Sequence, residues 1–358
     1  MPSIGYYENR KQDNFLLLRI IAACMVIYGH SFALTLDAGV KDIFLHYNWG
    51  RYSGDLAVSM FFVISGFMVS GSFLKRNDIV DYMTARLLRI VPALFVLLLV
   101  CSFIIGPLVT NLNTNEYYKH SDTYKYVIKN LSFSSNMAWT LPGVFEDHKM
   151  TSMNGSLWTL SAEMRMYALV ALLGIFGILN YRILCTLLFI GFFIAAQTNP
   201  QLLPLHSGWV KVAGYFCLGI IAQLYKDKIQ INLKILLALI FLTYISRLTD
   251  SYFYLLAISV AYFCFWFAYQ TPHLNIEKYG DPSYGIYLWG WPIQQLIVAI
   301  SPEMTPWKNF IISLLLTIPI GYLSWNLIEK PALSFKQKIK LRNKDQSDKS
   351  LSNDKSRL

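Results

Sequence analysis

Charge is scarce in this chain. Asp, Glu, Lys and Arg together make up 15% of its 358 residues, against about 25% in an ordinary soluble domain. Cysteine is scarce too. Cys24, Cys101, Cys185, Cys217 and Cys264 stand singly inside apolar runs, so neither a metal site nor a disulfide framework is spelled out. No small-residue cleavage site follows the first apolar run, which argues against a removable leader and makes 15–36 an expected retained helix. Halves with matching broken helices, the mark of many secondary transporters, are missing as well.

Apolar residues fill the gap: 55% of the chain is hydrophobic and the mean hydropathy is +0.40. Runs of spanning length recur from end to end and leave no room for a separate soluble domain of ordinary size. The pattern predicts an all-α polytopic membrane protein with about ten transmembrane helices. They fall near 14–36, 55–74, 87–109, 156–179, 182–197, 208–225, 231–247, 252–270, 283–300 and 307–328. The predicted domains are a membrane domain over 1–334 and a basic, polar tail over 335–358.

A net charge of +10 raises the question of nucleic acid. Its distribution answers no. From Lys330 to Leu358 there are nine Lys or Arg and three Asp, a net of +6 in one tail. Such a tail after a last helix fits the cytoplasmic face and its anionic lipid. Arg10 and Lys11 precede the first run. Lys75, Arg76, Arg86 and Arg89 lie between the second and third, and Lys226 and Lys228 follow the sixth. With an even number of spans all share one side, and both termini are expected in the cytoplasm. Thr110–Gly155, the longest connection, then lies outside, where loops of this length are usually functional. Trp49, Trp139, Trp158, Trp209 and Trp307 fall near the expected outer ends, as in an interfacial belt.

The first span, "FLLLRIIAACMVIYGH", holds an arginine and a histidine eleven residues apart. At 100° per residue they differ by only ~20° around the helix and about 16 Å along it. Charged groups in a span face a cavity or a partner far more often than lipid. Arg19 and His30 therefore mark the two ends of one functional face, with the small side chains of Ala22, Ala23 and Val26 between them. The plainer alternative has Arg19 snorkelling to headgroups and His30 making a helix contact.

Six segments carry a resemblance. They are "RIIAACMVIYGH", "AVSMFFVISGFMVS" (57–70), "ARLLRIVP" (85–92), "GSLWTLSAEMRMY" (155–167), "PSYGIYLWGWPIQQ" (282–295) and "WNLIEKP" (325–331). In this order they resemble the motifs of the acyltransferase-3 family of integral-membrane acyltransferases. The resemblance implies a ten-helix fold in the inner membrane. It moves an acyl group, usually acetyl, from cytosolic acyl-CoA to a hydroxyl of an envelope polysaccharide or lipid-linked glycan at the outer face. Acetyl-CoA is then a co-substrate, and no tightly bound cofactor or metal is called for. Two departures stand out: Ser59 where many relatives carry an acid, and Gly290 where many carry a second histidine.

Residue chemistry assigns roles within that frame. His30, the only histidine placed within a span, is the best general base for a sugar hydroxyl; transient acylation of its imidazole is the other route. Glu163 is expected at the depth of His30, to orient the imidazole or balance an arginine, and counts as catalytic with it. Arg19, Arg86 and Arg89 are the donor-side candidates, because guanidinium grips phosphate in a bidentate fork; for Arg86 and Arg89 the alternative is a topology signal. Ser65 is placed with the donor site, either as a nucleophile or as a small residue for close helix packing. Glu329 reads as a structural anchor. If donor and acceptor meet this way, a cavity should connect the arginine level to His30, lined by Ala22, Ala23 and Val26. A transporter or flippase would use the same buried charges as a path, and a glycan-assembly scaffold would need none of them intact.

Overall fold

The computed structural model describes residues 2–10, 12–36, 39–76, 78–199, 201 and 207–335. The expected basic tail thus lies, beyond residue 335, outside the described residues. Among those described there is no strand, only two isolated bridges, Ser3 to Gln230 and Thr110 to Val144. The architecture is all-helical.

A helix stands at each predicted position. They are α1 (Phe15–Leu34), α2 (Ser53–Arg76), α3 (Ile79–Val100), α4 (Trp158–Ile175), α5 (Arg182–Thr198), α6 (Ser207–Leu224), α7 (Leu233–Ile245), α8 (Tyr252–Gln270), α9 (Ser283–Ile300) and α10 (Pro306–Ser324). Five segments are long and apolar enough to cross a membrane: Phe15–Leu34, Ser53–Arg76, Ile79–Val109, Tyr252–Gln270 and Pro306–Phe335. The third and fifth gain length because a π-helical turn extends each, Cys101–Ile105 after α3 and Trp325–Glu329 after α10. Large apolar side chains such as Ile183, Leu187, Phe241 and Leu315 stay exposed on the helices' outer faces, the arrangement lipid requires and water penalises.

The first helix is pinned at its start by local polar chemistry. Asp13 accepts the first free amide, Phe15 N, at 3.1 Å, and the Asn14 amide donates to Thr271 and Pro272 at the end of α8. This register sets the level of Arg19. The tightest helix contact is α2 against α6, and glycine makes it possible. A Cβ on Gly66 would stand 2.0 Å from the Phe216 carbonyl oxygen, and one on Gly219 would stand 2.2 Å from that of Val63. Small residues at such crossings let backbones approach. Gly66, not its neighbour Ser65, fills the packing role.

The connection 110–155 is folded. It contains helices Thr114–Lys119 and Ser121–Leu131. Tyr117 and Tyr126 are wholly buried, and the Tyr117 hydroxyl donates to the Ser102 carbonyl at 2.8 Å.

Because backbone, not a flexible tip, blocks the space at Gly66, Gly66→Ala should cost ~1–3 kcal/mol through overpacking. A clear drop in the thermal midpoint of the detergent-solubilised protein is expected. Gly191→Ala, where nothing lies within 4 Å of the new Cβ, should leave the midpoint in place. Equal midpoints for both variants would refute the contact.

Candidate active site

Two half-buried arginines near one end of the helix bundle are paired with two carboxylates that the helices bring from far along the chain. Asp281 precedes α9 and uses one oxygen to hold Ser283, accepting from its amide at 3.1 Å and its hydroxyl at 2.5 Å. Its other oxygen meets Arg19 at 3.0 Å and Arg89 at 2.6 Å. Arg89 also reaches Glu329 at 3.0 Å. Glu329 is fully buried, turned inward by the π-helical turn that ends α10, and accepts from the Ser324 hydroxyl at 2.9 Å. Burial by itself would raise the Asp281 carboxyl, but the flanking Arg19 and Arg89 outweigh it and hold the group at about 2.

Arg86 is different. It sits one turn before Arg89 on α3 and has no carboxylate partner among the described residues. Its guanidinium lies 5.9 Å from the Tyr82 ring centre and 5.8 Å from that of Tyr167, and its buried Nε makes no hydrogen bond there. This guanidinium keeps a charge that no carboxylate among the described residues takes up.

The three arginines border a cavity of about 480 Å³. Its walls are mainly apolar, with Phe61, Phe62, Met68 and Leu160 prominent. Polar groups converge at one point. Glu163 accepts from the Tyr167 hydroxyl, while Ser65 Oγ stands 3.5 Å from Glu163 and 3.4 Å from Tyr167. At the far end Thr159 and Tyr287 close the space. Their hydroxyls are 2.5 Å apart, and both reach the Ser156 carbonyl, at 3.1 and 2.9 Å.

His30 lies beyond that closure. Its ring stands edge-on to Trp291 at 4.7 Å, one turn of α9 past Tyr287. Its buried Nδ1 has no hydrogen-bond partner among the described residues. Two placements differ from expectation. Glu163 lies one turn to the arginine side of Thr159, so ~12 Å of helix rise separates it from the level of His30; it lines the cavity with the arginines, and His30 does not. Ala22, Ala23 and Val26 are buried but do not line the cavity, because that face of α1 packs into the bundle. Arg19, Arg86, Arg89, Ser65 and Glu163 do line one space. Gly290 faces Ile27, and a Cβ added to it would stand 2.8 Å from the Ile27 Cγ1, so α9 has no room for an imidazole there. Glu329, read in sequence as a structural anchor, is buried against Arg89 and Ser324.

Asp281, Tyr167, Thr159 and Tyr287 escaped the sequence reading. Asp281-Pro282-Ser283 ahead of an apolar run is a helix-start signal, and it alone pointed to Asp281. Arg165 donates to the carbonyls of Phe133 and Ser161 and stacks on Trp209 at 4.0 Å, which leaves Glu163 to Tyr167 and Ser65.

Comparison with known proteins gives a consistent answer. Residues 13–326 match the family model Acyl_transf_3, described as an acyltransferase domain. A protein named O-acetyl transferase from Shigella phage Sf6 is 25% identical over 341 residues, covering 90% of this chain and 97% of the phage protein. Nodulation protein 10 of Rhizobium leguminosarum bv. viciae is also 25% identical, over 381 residues, covering 93% of this chain and 96% of its own length. No solved structure matches the chain.

The lowered Asp281 carboxyl makes a pH prediction. A group depressed from 3.8 to about 2 on folding contributes ~2 kcal/mol above pH 4 and loses it as pH falls through 2. The stability difference between wild type and Asp281→Asn should shrink as pH falls from 4 to 2, read from chemical unfolding. A difference that stays unchanged between pH 4 and 2 would contradict the pairing.

Proposed function

The chain belongs to the acyltransferase family that this domain model describes, and on that premise we propose that it is a multi-pass O-acetyltransferase of the cytoplasmic (inner) membrane. In this reading it moves an acetyl group from cytosolic acetyl-CoA to a hydroxyl of an envelope polysaccharide or lipid-linked glycan at the outer face. The observation that carries the reading is the cavity: guanidinium groups at one end, an apolar throat, and a half-buried histidine past the other end. The basic residues Lys75, Arg76 and Arg86 all fall at the cavity's arginine end, which supports a cytoplasmic assignment for it and for both termini. All ten helices count as spans under this proposal, the shorter ones crossing with protein around them.

Each group then has a task. Arg86 meets CoA phosphate at the mouth, in the bidentate manner open to a guanidinium with no carboxylate on it. Arg19 and Arg89, held by Asp281 and Glu329, shape the mouth and keep it rigid. Ser65, Glu163 and Tyr167 offer hydrogen bonds to the amides of the pantetheine arm, which the apolar walls cover. The thioester stops at the Thr159–Tyr287 pair until that pair parts. His30 takes the proton from the acceptor hydroxyl, the oxygen forms the new C–O bond at the thioester carbon, and the C–S bond breaks. CoA leaves as a thiolate that takes this proton from His30, so the thiol is released and the imidazole returns to its neutral state. The apolar surroundings of His30 keep water from competing for the acyl group.

Cells with the gene and cells without it test the activity itself, through acetate released from envelope glycan by mild base. His30→Ala at normal membrane abundance should release none, and wild-type acetate from that variant would overturn the assignment. The two arginines of α3 should separate. Arg86→Lys should raise KM for acetyl-CoA about tenfold, the loss of one charge-assisted contact, with the thermal midpoint unchanged. Arg89→Lys should lower the midpoint, because an ammonium cannot bridge Asp281 and Glu329 as the fork does. The reverse pattern would exchange their roles.

A further inference from the structure

The segment 148–156 runs as a strap along α9 and covers the end of the bundle where His30 lies. Asn154 donates to the Leu288 carbonyl at 3.0 Å, and Trp291, whose ring faces His30, donates to the Ser152 carbonyl at 3.0 Å. One turn farther along α9, Gln295 donates to the carbonyls of Met150 at 2.6 Å and Ser152 at 2.9 Å. Lys149 ties the strap to the end of α1 through the Thr35 carbonyl at 2.9 Å. His148, bonded to Gln295, therefore rests against the helix that carries Trp291, a single turn beyond it, ~6 Å by helix rise.

In the neutral ring the tautomer follows from these bonds. Gln295 spends both amide protons on carbonyls, so its oxygen can only accept. The His148 Nδ1, 2.9 Å away, must carry the proton of that bond, which leaves Nε2 as a bare acceptor. The ring is stacked on Phe145, with centres 4.7 Å apart, and is partly exposed, with Glu146 and Asp147 exposed beside it. An oriented imidazole with an open acceptor nitrogen suits one kind of ligand: a hydroxyl donor arriving from outside.

We propose that His148 binds the acceptor, its Nε2 taking a hydrogen bond from a hydroxyl of the sugar whose neighbouring hydroxyl reaches His30. The assignment rests on the acyl-transfer reading above. It supplies from the strap the second imidazole that α9, with Gly290 packed on Ile27, does not carry.

A purely structural His148 needs only its donor to Gln295, and asparagine supplies that donor without a counterpart of Nε2. The test uses full-length protein in nanodiscs, acetyl-CoA, and de-O-acetylated envelope polysaccharide from the producing cells as the acceptor probe. His148→Asn should raise KM for the polysaccharide about tenfold, as expected for one lost neutral hydrogen bond, with KM for acetyl-CoA and the thermal midpoint unchanged. His148→Ala should show the same rise with a lowered midpoint. A polysaccharide KM within twofold of wild type in His148→Asn, while wild type transfers acetyl normally, overturns this assignment alone. Wild type that transfers no acetyl to the probe overturns the transfer reading and His148's part in it together.

Discussion

Asp281 is the point on which the arginine end of this protein depends. Two guanidinium groups enter a largely apolar bundle from α1 and α3, and each would be costly there alone. A carboxylate shared between them, with Glu329 taking the second side of Arg89, gives each guanidinium an acidic partner. Breaking one member of such a set costs far more than the whole set contributes, because the remaining charges stay where they are. The same contacts tie four segments into one wall: the start of α1, α3, the turn before α9 and the end of α10. Pairing also has a selective effect. With Arg19 and Arg89 occupied, Arg86 stands without a carboxylate among the described residues, and under the proposed function it is the one left for a phosphate; its setting near two tyrosine rings holds it without neutralising it.

The cavity follows the usual pattern of a small-molecule site, mostly apolar with a few convergent polar groups. Its polarity is graded: arginines at the mouth, then the cluster of Ser65, Glu163 and Tyr167, then the hydroxyl pair of Thr159 and Tyr287. Each step matches a change along an acyl-CoA, from phosphates to amides to thioester. That match supports acyl-CoA more strongly than any one contact does.

Much of this was legible in the sequence because helices obey local rules. Hydrophobic runs marked the positions of the ten long helices, and the eleven-residue spacing of Arg19 and His30 put both on one face before any packing was known. What stayed hidden was pairing across the chain. Arg19 and Asp281 are 262 residues apart, and Arg89 is 192 residues from the same carboxylate and 240 from Glu329; no periodicity carries that information. Depth was misjudged for a related reason. Counting inward from helix ends put Glu163 level with His30, and the observed ends, Trp158 and Leu34, would still do so; the two ends lie at different levels, because Thr159, four residues before Glu163, already meets Tyr287, a turn short of Trp291. Helix ends that differ in level by a turn move a side chain by a turn, and a turn decides which site it joins.

The separation of His30 from the arginine cavity has its own logic under the proposed function. A donor that arrives from one side of a membrane and an acceptor that arrives from the other need a common meeting point. A permanently open passage between those sides would also conduct water and protons. The hydroxyls of Thr159 and Tyr287, satisfied by each other and by the Ser156 carbonyl, close the passage without leaving either hydroxyl unpaired. Parting them exposes two hydroxyls at the point where a thioester arrives, and its carbonyl can accept from either. The closure therefore opens at least cost when the donor is present. Ser156 belongs to the same strap that carries His148, so the acceptor's seat and the donor's stop are joined through one short segment. A hydroxyl bound at one end and a thioester at the other both bear on that strap, which gives the bundle a physical means of keeping the passage shut until both substrates are in place.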